Sequence, residues 1–109
     1  MDELESSETS FTVEEALDAS GVVTITLRGE LDISSADSFR AVMERIVGDE
    51  PERLVFDLHE LAFMDSSGIA VMVYVSNHVK DVELRHASDV IRRVVEATGL
   101  ADVLRLDPS

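Results

Sequence analysis

The feature that most constrains this chain is an alternation of strand-like and helix-like segments, repeated three times. Val23, Ile25 and Leu27 alternate with Thr24, Thr26 and Arg28, the period of a half-buried strand. Phe39, Val42, Met43, Ile46 and Val47 then recur at three-and-four spacing, which is one face of a helix. The short apolar run Leu54-Val55-Phe56 is followed by a second helical stretch that begins near Ser66. Val82-Glu83-Leu84 is followed by a third helix, with Val90, Ile91, Val94 and Val95 inward and Arg92 and Arg93 outward. Strand–helix units of this kind give parallel strands joined by right-handed crossovers, and crossovers made in one direction put every helix on the same face. Ahead of them, Phe11-Thr12-Val13 and Val22–Leu27 flank the turn residues Ser20-Gly21 and form an antiparallel hairpin. The expected fold is therefore α/β, a mixed, mostly parallel sheet opened by an antiparallel hairpin, with helices packed on one face. It occupies residues 11–106, after a flexible acidic segment at residues 1–10.

Local signals set the expected boundaries. Ser34 or Ser35 caps the first helix, and Gly48 with Pro51 ends it. Ser88 caps the third helix, Gly99 ends it, and Val103-Leu104 forms a last strand. Ligands of parallel sheets sit beyond the carboxyl ends of the strands. Two loops should open there, Gly29-Glu30-Leu31-Asp32 and Asp57 through Gly68.

Charge and composition exclude more than they name. Asp and Glu number 23 against 9 Lys and Arg, a formal charge of −14, so phosphate backbones and anionic membrane surfaces are repelled. A basic protein surface would instead be steered toward the chain. Cysteine is absent, which removes disulfides, thiolate metal sites and thiol catalysis. The first residues, Met1-Asp2-Glu3-Leu4-Glu5, are acidic where a secretory leader would be basic. The longest apolar run, Ile69–Val75, is too short to span a bilayer. A cytoplasmic location is expected, with no cofactor and no metal.

The chemistry concentrates where the second loop enters its helix, at Phe63-Met64-Asp65-Ser66-Ser67-Gly68. A serine at a helix start is ordinarily an N-cap, worth about 1 kcal/mol. Phosphorylated, it would add about −1.5 to −2 charges beside backbone N–H groups and a helix dipole able to hold them.

The neighbours of Ser66 carry a resemblance. Asp65-Ser66-Ser67-Gly68, with Phe63-Met64 before it and Ile69-Ala70-Val71 after, resembles the phosphoacceptor motif of anti-sigma factor antagonists, the STAS-domain family. Gly29-Glu30-Leu31-Asp32 is similar to that family's Gly-Glu-Leu-Asp turn. Leu54-Val55-Phe56-Asp57-Leu58 is similar to the strand before the motif, and Thr98-Gly99-Leu100 to the Ser-Gly-Leu that ends its third helix. The resemblance covers Phe11 to Leu106. It implies a non-enzymatic partner switch: the unphosphorylated protein captures an anti-sigma factor that is itself a serine kinase, and a sigma factor is released. The kinase phosphorylates the antagonist, and a metal-dependent PP2C-type phosphatase reverses the step. Carried over, Ser66 is the phosphoacceptor, and Asp65, Ser66, Ser67 and Gly68 lie in the partner surface with Glu30 and Asp32. Ser67 stays open as a second acceptor. Ala70 stands where a second glycine is common, which should tighten the packing of the helix start, and Thr98 replaces serine.

Other readings compete. STAS-like domains also serve as scaffolds of stress-sensing complexes, as accessory subunits of transport systems, or as nucleotide binders. A receiver domain built on Asp57 needs a lysine at a later strand end, but Lys80 precedes its strand. A hydrolase lacks the Gly-x-Ser-x-Gly elbow. His59, His78 and His86 are scattered, without metal-ligand spacing.

Overall fold

A computed structural model describes residues 11–101 and 103–107; the acidic segment at residues 1–10 lies outside the described residues. Five strands and three helices follow one another as β1 (Phe11–Leu17), β2 (Val22–Leu31), α1 (Ile33–Gly48), β3 (Arg53–Met64), α2 (Ser66–Ser76), β4 (Asp81–Arg85), α3 (Asp89–Ala97) and β5 (Arg105–Leu106). The strands lie side by side in chain order. β1 runs antiparallel to β2, and the other three pairings are parallel. The hairpin turns at Gly21, whose φ is 90°, and the Asp18 carboxylate accepts from the N–H groups of Ser20 and Val22.

Register explains which side of the sheet is dry. Val23 aligns with Leu54 and Val82, and Ile25 with Phe56 and Leu84; all six are buried. They join one apolar cluster with Phe39, Met43 and Ile46 of α1, Ile69, Met72 and Val75 of α2, and Ile91 and Val95 of α3. All three helices thus share that face of the sheet. Edge-on contacts of Phe39 with Phe11 and with Phe56, at 5.8 and 6.0 Å between centroids, tie β1, α1 and β3 together. The opposite face bears charges: Arg28 pairs with Glu14 and Glu60, Arg53 with Glu83, and Arg105 with Asp81.

Five local expectations are corrected. β2 and β3 each run further than the alternation indicates. Twice β3 advances one residue more than β2, between Thr26 and Arg28 and again between Gly29 and Glu30, and each extra residue is a bulge. The bulges space the buried residues of β3 three apart, at Leu58, Leu61 and Met64, so the strand no longer shows its period of two. The expected loops, Gly29–Asp32 and Asp57–Gly68, are consequently strand up to Leu31 and Met64. Asp32, not Ser34 or Ser35, caps α1: it accepts from the Ser34 N–H, while the Ser35 hydroxyl receives the Asp32 N–H. Val90 is exposed, because α3 buries only the stripe through Ile91 and Val95. The last strand is Arg105–Leu106; Leu104 belongs to the turn before it and is buried. Ser88 does cap α3, accepting from Ile91 N–H.

Candidate functional site

With the loops absorbed into strands, the carboxyl edge of the sheet is tight. β2 reaches α1 through the single residue Asp32, and β3 reaches α2 through the single residue Asp65. Leu31 and Met64, the strand ends, are register partners, and Asp65 N–H donates to the Leu31 carbonyl at 3.1 Å. Two aspartate-capped helix starts therefore stand side by side. In each, the carboxylate accepts from the N–H and the hydroxyl of the residue two further on, Ser34 for Asp32 and Ser67 for Asp65. The Ser34 hydroxyl bond is the first cause of a lowered Asp32 pKa, because it stabilises the charged form.

This geometry separates the two serines of the motif. The Ser67 hydroxyl is engaged by Asp65 and is half-buried. Ser66, the first residue of α2, is exposed, and its hydroxyl has no hydrogen-bond partner among the described residues. Gly68 is buried at the first turn, where its bare Cα lies against Leu31 and Met64. Ala70 is exposed, so its methyl does not tighten the helix start as expected; the close approach is at Gly68. Glu30 is exposed opposite Phe63, and Asp32 is half-buried. The sequence-expected residues Glu30, Asp32, Asp65, Ser66, Ser67 and Gly68 are thus gathered on one edge.

Two residues at this edge were not expected. Ile33 is 81% exposed beside Asp32, and Phe63 is 42% exposed two residues before Asp65. Large apolar side chains left in water next to anionic groups form a surface that a partner can cover. The available signal was an isoleucine between a capping aspartate and two serines, a position that faces away from a sheet. α2 itself, apolar nearly all round, is largely covered: Ile69, Val71, Met72 and Val75 are buried. The Arg40 guanidinium of α1 lies 4.9 Å over the Tyr74 ring. A cavity of about 350 Å³ lies at the other, amino-terminal end of the sheet, lined by Glu15, Leu17, Ile46 and Pro51 among others, and takes no part in the edge.

A second cluster lies on the charged face of the sheet. His59 Nδ1 is 2.9 Å and His86 Nδ1 is 3.1 Å from the same Asp57 oxygen, so these two histidines are not scattered as their numbering implies. Burial alone would raise the Asp57 carboxyl, but the bonds from His59 and His86 bring it below its ordinary value. The His59 imidazole is raised, first by its hydrogen bond to Asp57. His78 stands apart, against the Tyr74 carbonyl at the end of α2.

The STAS domain family model matches residues 14–109. The chain is 30% identical over 92 residues to the anti-sigma-F factor antagonist RsfB of Mycobacterium tuberculosis, covering 82% of this chain and 75% of that one. It is also 30% identical over 88 residues to the anti-sigma-B factor antagonist of Listeria monocytogenes, covering 77% of each. Among solved structures, an anti-sigma factor antagonist from Mycobacterium paratuberculosis superposes with a TM-score of 0.85 at 25% identity, over 96% of this chain and 92% of that one. The unphosphorylated form of SpoIIAA shares the fold, with a TM-score of 0.76 at 21% identity over 90% of each chain.

Proposed function

This chain belongs to the STAS domain family, and on that premise we propose that it is an anti-sigma factor antagonist switched by phosphorylation of Ser66. In its unphosphorylated form it binds an anti-sigma factor that is a serine kinase, and the sigma factor is set free. Glu30, Asp32, Asp65, Ser66, Ser67 and Gly68, with the exposed Ile33 and Phe63, form the docking edge. It acts as a binding protein rather than an enzyme.

The observation that carries this reading is the contrast between the two serines. The exposed Ser66 hydroxyl is free to enter a kinase active site, whereas Ser67 would first have to release Asp65. Phosphate on Ser66 needs no refolding, since it would project from the exposed first residue of a helix whose start is held against the ends of β2 and β3 through Asp65 and Gly68. It would add about two negative charges to an edge already holding Asp32 and Asp65. A partner that docks on this edge would then have to bury an unmatched charge, at a cost of several kcal/mol. A PP2C-type phosphatase restores the binding form.

The test is capture of the anti-sigma kinase from the source organism by wild type, Ser66→Ala and Ser66→Asp. Wild type and Ser66→Ala should retain it, and Ser66→Asp should bind at least about tenfold more weakly, the equivalent of 1.4 kcal/mol. Incubation with that kinase and ATP should place one phosphate on Ser66 by mass spectrometry. Capture of a transport subunit, or equal capture by all three proteins, would overturn the proposal.

A further inference from the structure

We propose that Asp57, His59 and His86 form a binding site for a divalent transition-metal ion of the zinc class, distinct from the Ser66 edge. Three kinds of observation carry this assignment.

The donor set comes first. Two imidazoles and one carboxylate are the ligands that zinc, cobalt and nickel prefer, whereas calcium and magnesium take oxygen alone. One donor atom from each of the three residues lies within 4.8 Å of the others. The two histidine nitrogens already stand 2.9 and 3.1 Å from the Asp57 oxygen. Ligands about 2.0–2.1 Å from a tetrahedral zinc ion lie roughly 3.3 Å apart, so both nitrogen–oxygen distances are already close to those an ion requires. Both rings are about half exposed, and Asp57 is 23% exposed. An ion can therefore enter directly and keep a fourth position open to water.

The second observation is a partner for the far side of a ligand. His59 Nε2 lies 3.0 Å from Glu60 Oε2. Metal-binding histidines characteristically donate their other N–H to a carboxylate, which fixes the tautomer and leaves the remaining nitrogen for the metal. Glu60 is itself held by Arg28 through its other oxygen, at 2.9 Å. Arg85, the register neighbour of Asp57 on β4, pairs with Glu83 instead.

The backbone supplies the third. The first bulge in β3 falls between Asp57 and Glu60, so Asp57 and His59 share the charged face while Glu60 comes level with Arg28. His86 follows the last residue of β4 with φ of 61°, a left-handed conformation uncommon outside glycine. That places its ring over β3, with the His59 ring 6.1 Å away and nearly perpendicular. Binding releases whichever proton occupies a coordinating Nδ1 to solvent, and no covalent or redox step is involved.

The experiment uses the full, untagged chain titrated with Zn2+ by calorimetry and with Co2+ by visible absorption. Wild type should take up one ion, with a cobalt spectrum of low coordination number. His59→Ala and His86→Ala, both at exposed positions and checked for folding by circular dichroism, should each weaken binding at least about tenfold. Glu60→Gln, which leaves all three ligands in place, should cost about tenfold. His78→Ala and Ser66→Asp should bind as wild type does. The proposal fails if wild type binds neither ion, or if binding survives in the His59→Ala/His86→Ala double variant. It fails equally if His78→Ala costs as much as either ligand substitution.

Discussion

A Cβ placed on Gly68 would lie 2.6 Å from both Cγ and Cδ2 of Leu31, and 3.0 Å from Cγ of Met64. Leu31 is fully buried, so it cannot swing away to make room. The first turn of α2 is pressed onto the ends of β2 and β3, and glycine is required there for space rather than for backbone conformation. Gly68→Ala should lose about 1–3 kcal/mol, the usual cost of overpacking a filled core. Urea denaturation would show this as a lower midpoint with an unchanged slope; a midpoint equal to wild type would mean that the contact relaxes freely. The neighbouring Ser66 keeps its side chain in water.

At the level of elements, α1 and α2 begin alike, each from an aspartate that follows directly on a strand. Asp32 accepts from Ser34 through both N–H and hydroxyl, and these bonds hold its carboxyl below its ordinary value. A depressed folded-state pKa means that the stabilisation is complete above the unfolded-state value and disappears as pH falls through the folded one. Asp32→Asn keeps the capping oxygen but cannot titrate. The wild-type advantage over this variant should therefore be present at neutral pH and vanish on acidification below about pH 4, near the unfolded aspartate pKa. Urea midpoints of both proteins across that range would check it, and a constant difference would show that the carboxylate charge plays no part in the cap. β3 makes a different point about elements. Its first bulge, just after Asp57, brings Glu60 level with Arg28, and its second sets Phe63 opposite Glu30.

For the molecule as a whole, Phe39 is the joint between layers. It is fully buried and meets Phe11 of the edge strand and Phe56 of the central strand edge-on. Phe39→Ala removes both contacts and leaves a cavity that three elements line, at a cost of about 3–5 kcal/mol. Against a total of about 5–15 kcal/mol for a domain, that is enough to leave a measurable unfolded population at room temperature. Thermal unfolding followed by circular dichroism would read it; a melting temperature near that of wild type would mean that α1 does not fasten the hairpin to the sheet. The two proposed surfaces are arranged on the same frame. The serine edge is where β2 and β3 end, and the histidine cluster is where β4 ends beside the longer β3.

Hydrophobic patterning together with turn and cap residues set the alternation of strands and helices and the antiparallel opening hairpin, because each depends on side chains a few residues apart, and the crossover rule then gave the single dry face. The aspartate–serine segment at the start of α2 was legible through its resemblance to the antagonist motif, which is a run of adjacent residues. Strand pairing decided the rest. The bulges that lengthen β2 and β3 exist only in the register between them, so the expected loops became strand, and α1 starts from Asp32 directly after β2. The meeting of His59 with His86 follows from β4 lying beside β3, and the exposure of Ile33 and Phe63 from what the helices leave uncovered. Proximity between residues distant in sequence is a property of the packed chain, and no periodicity encodes it.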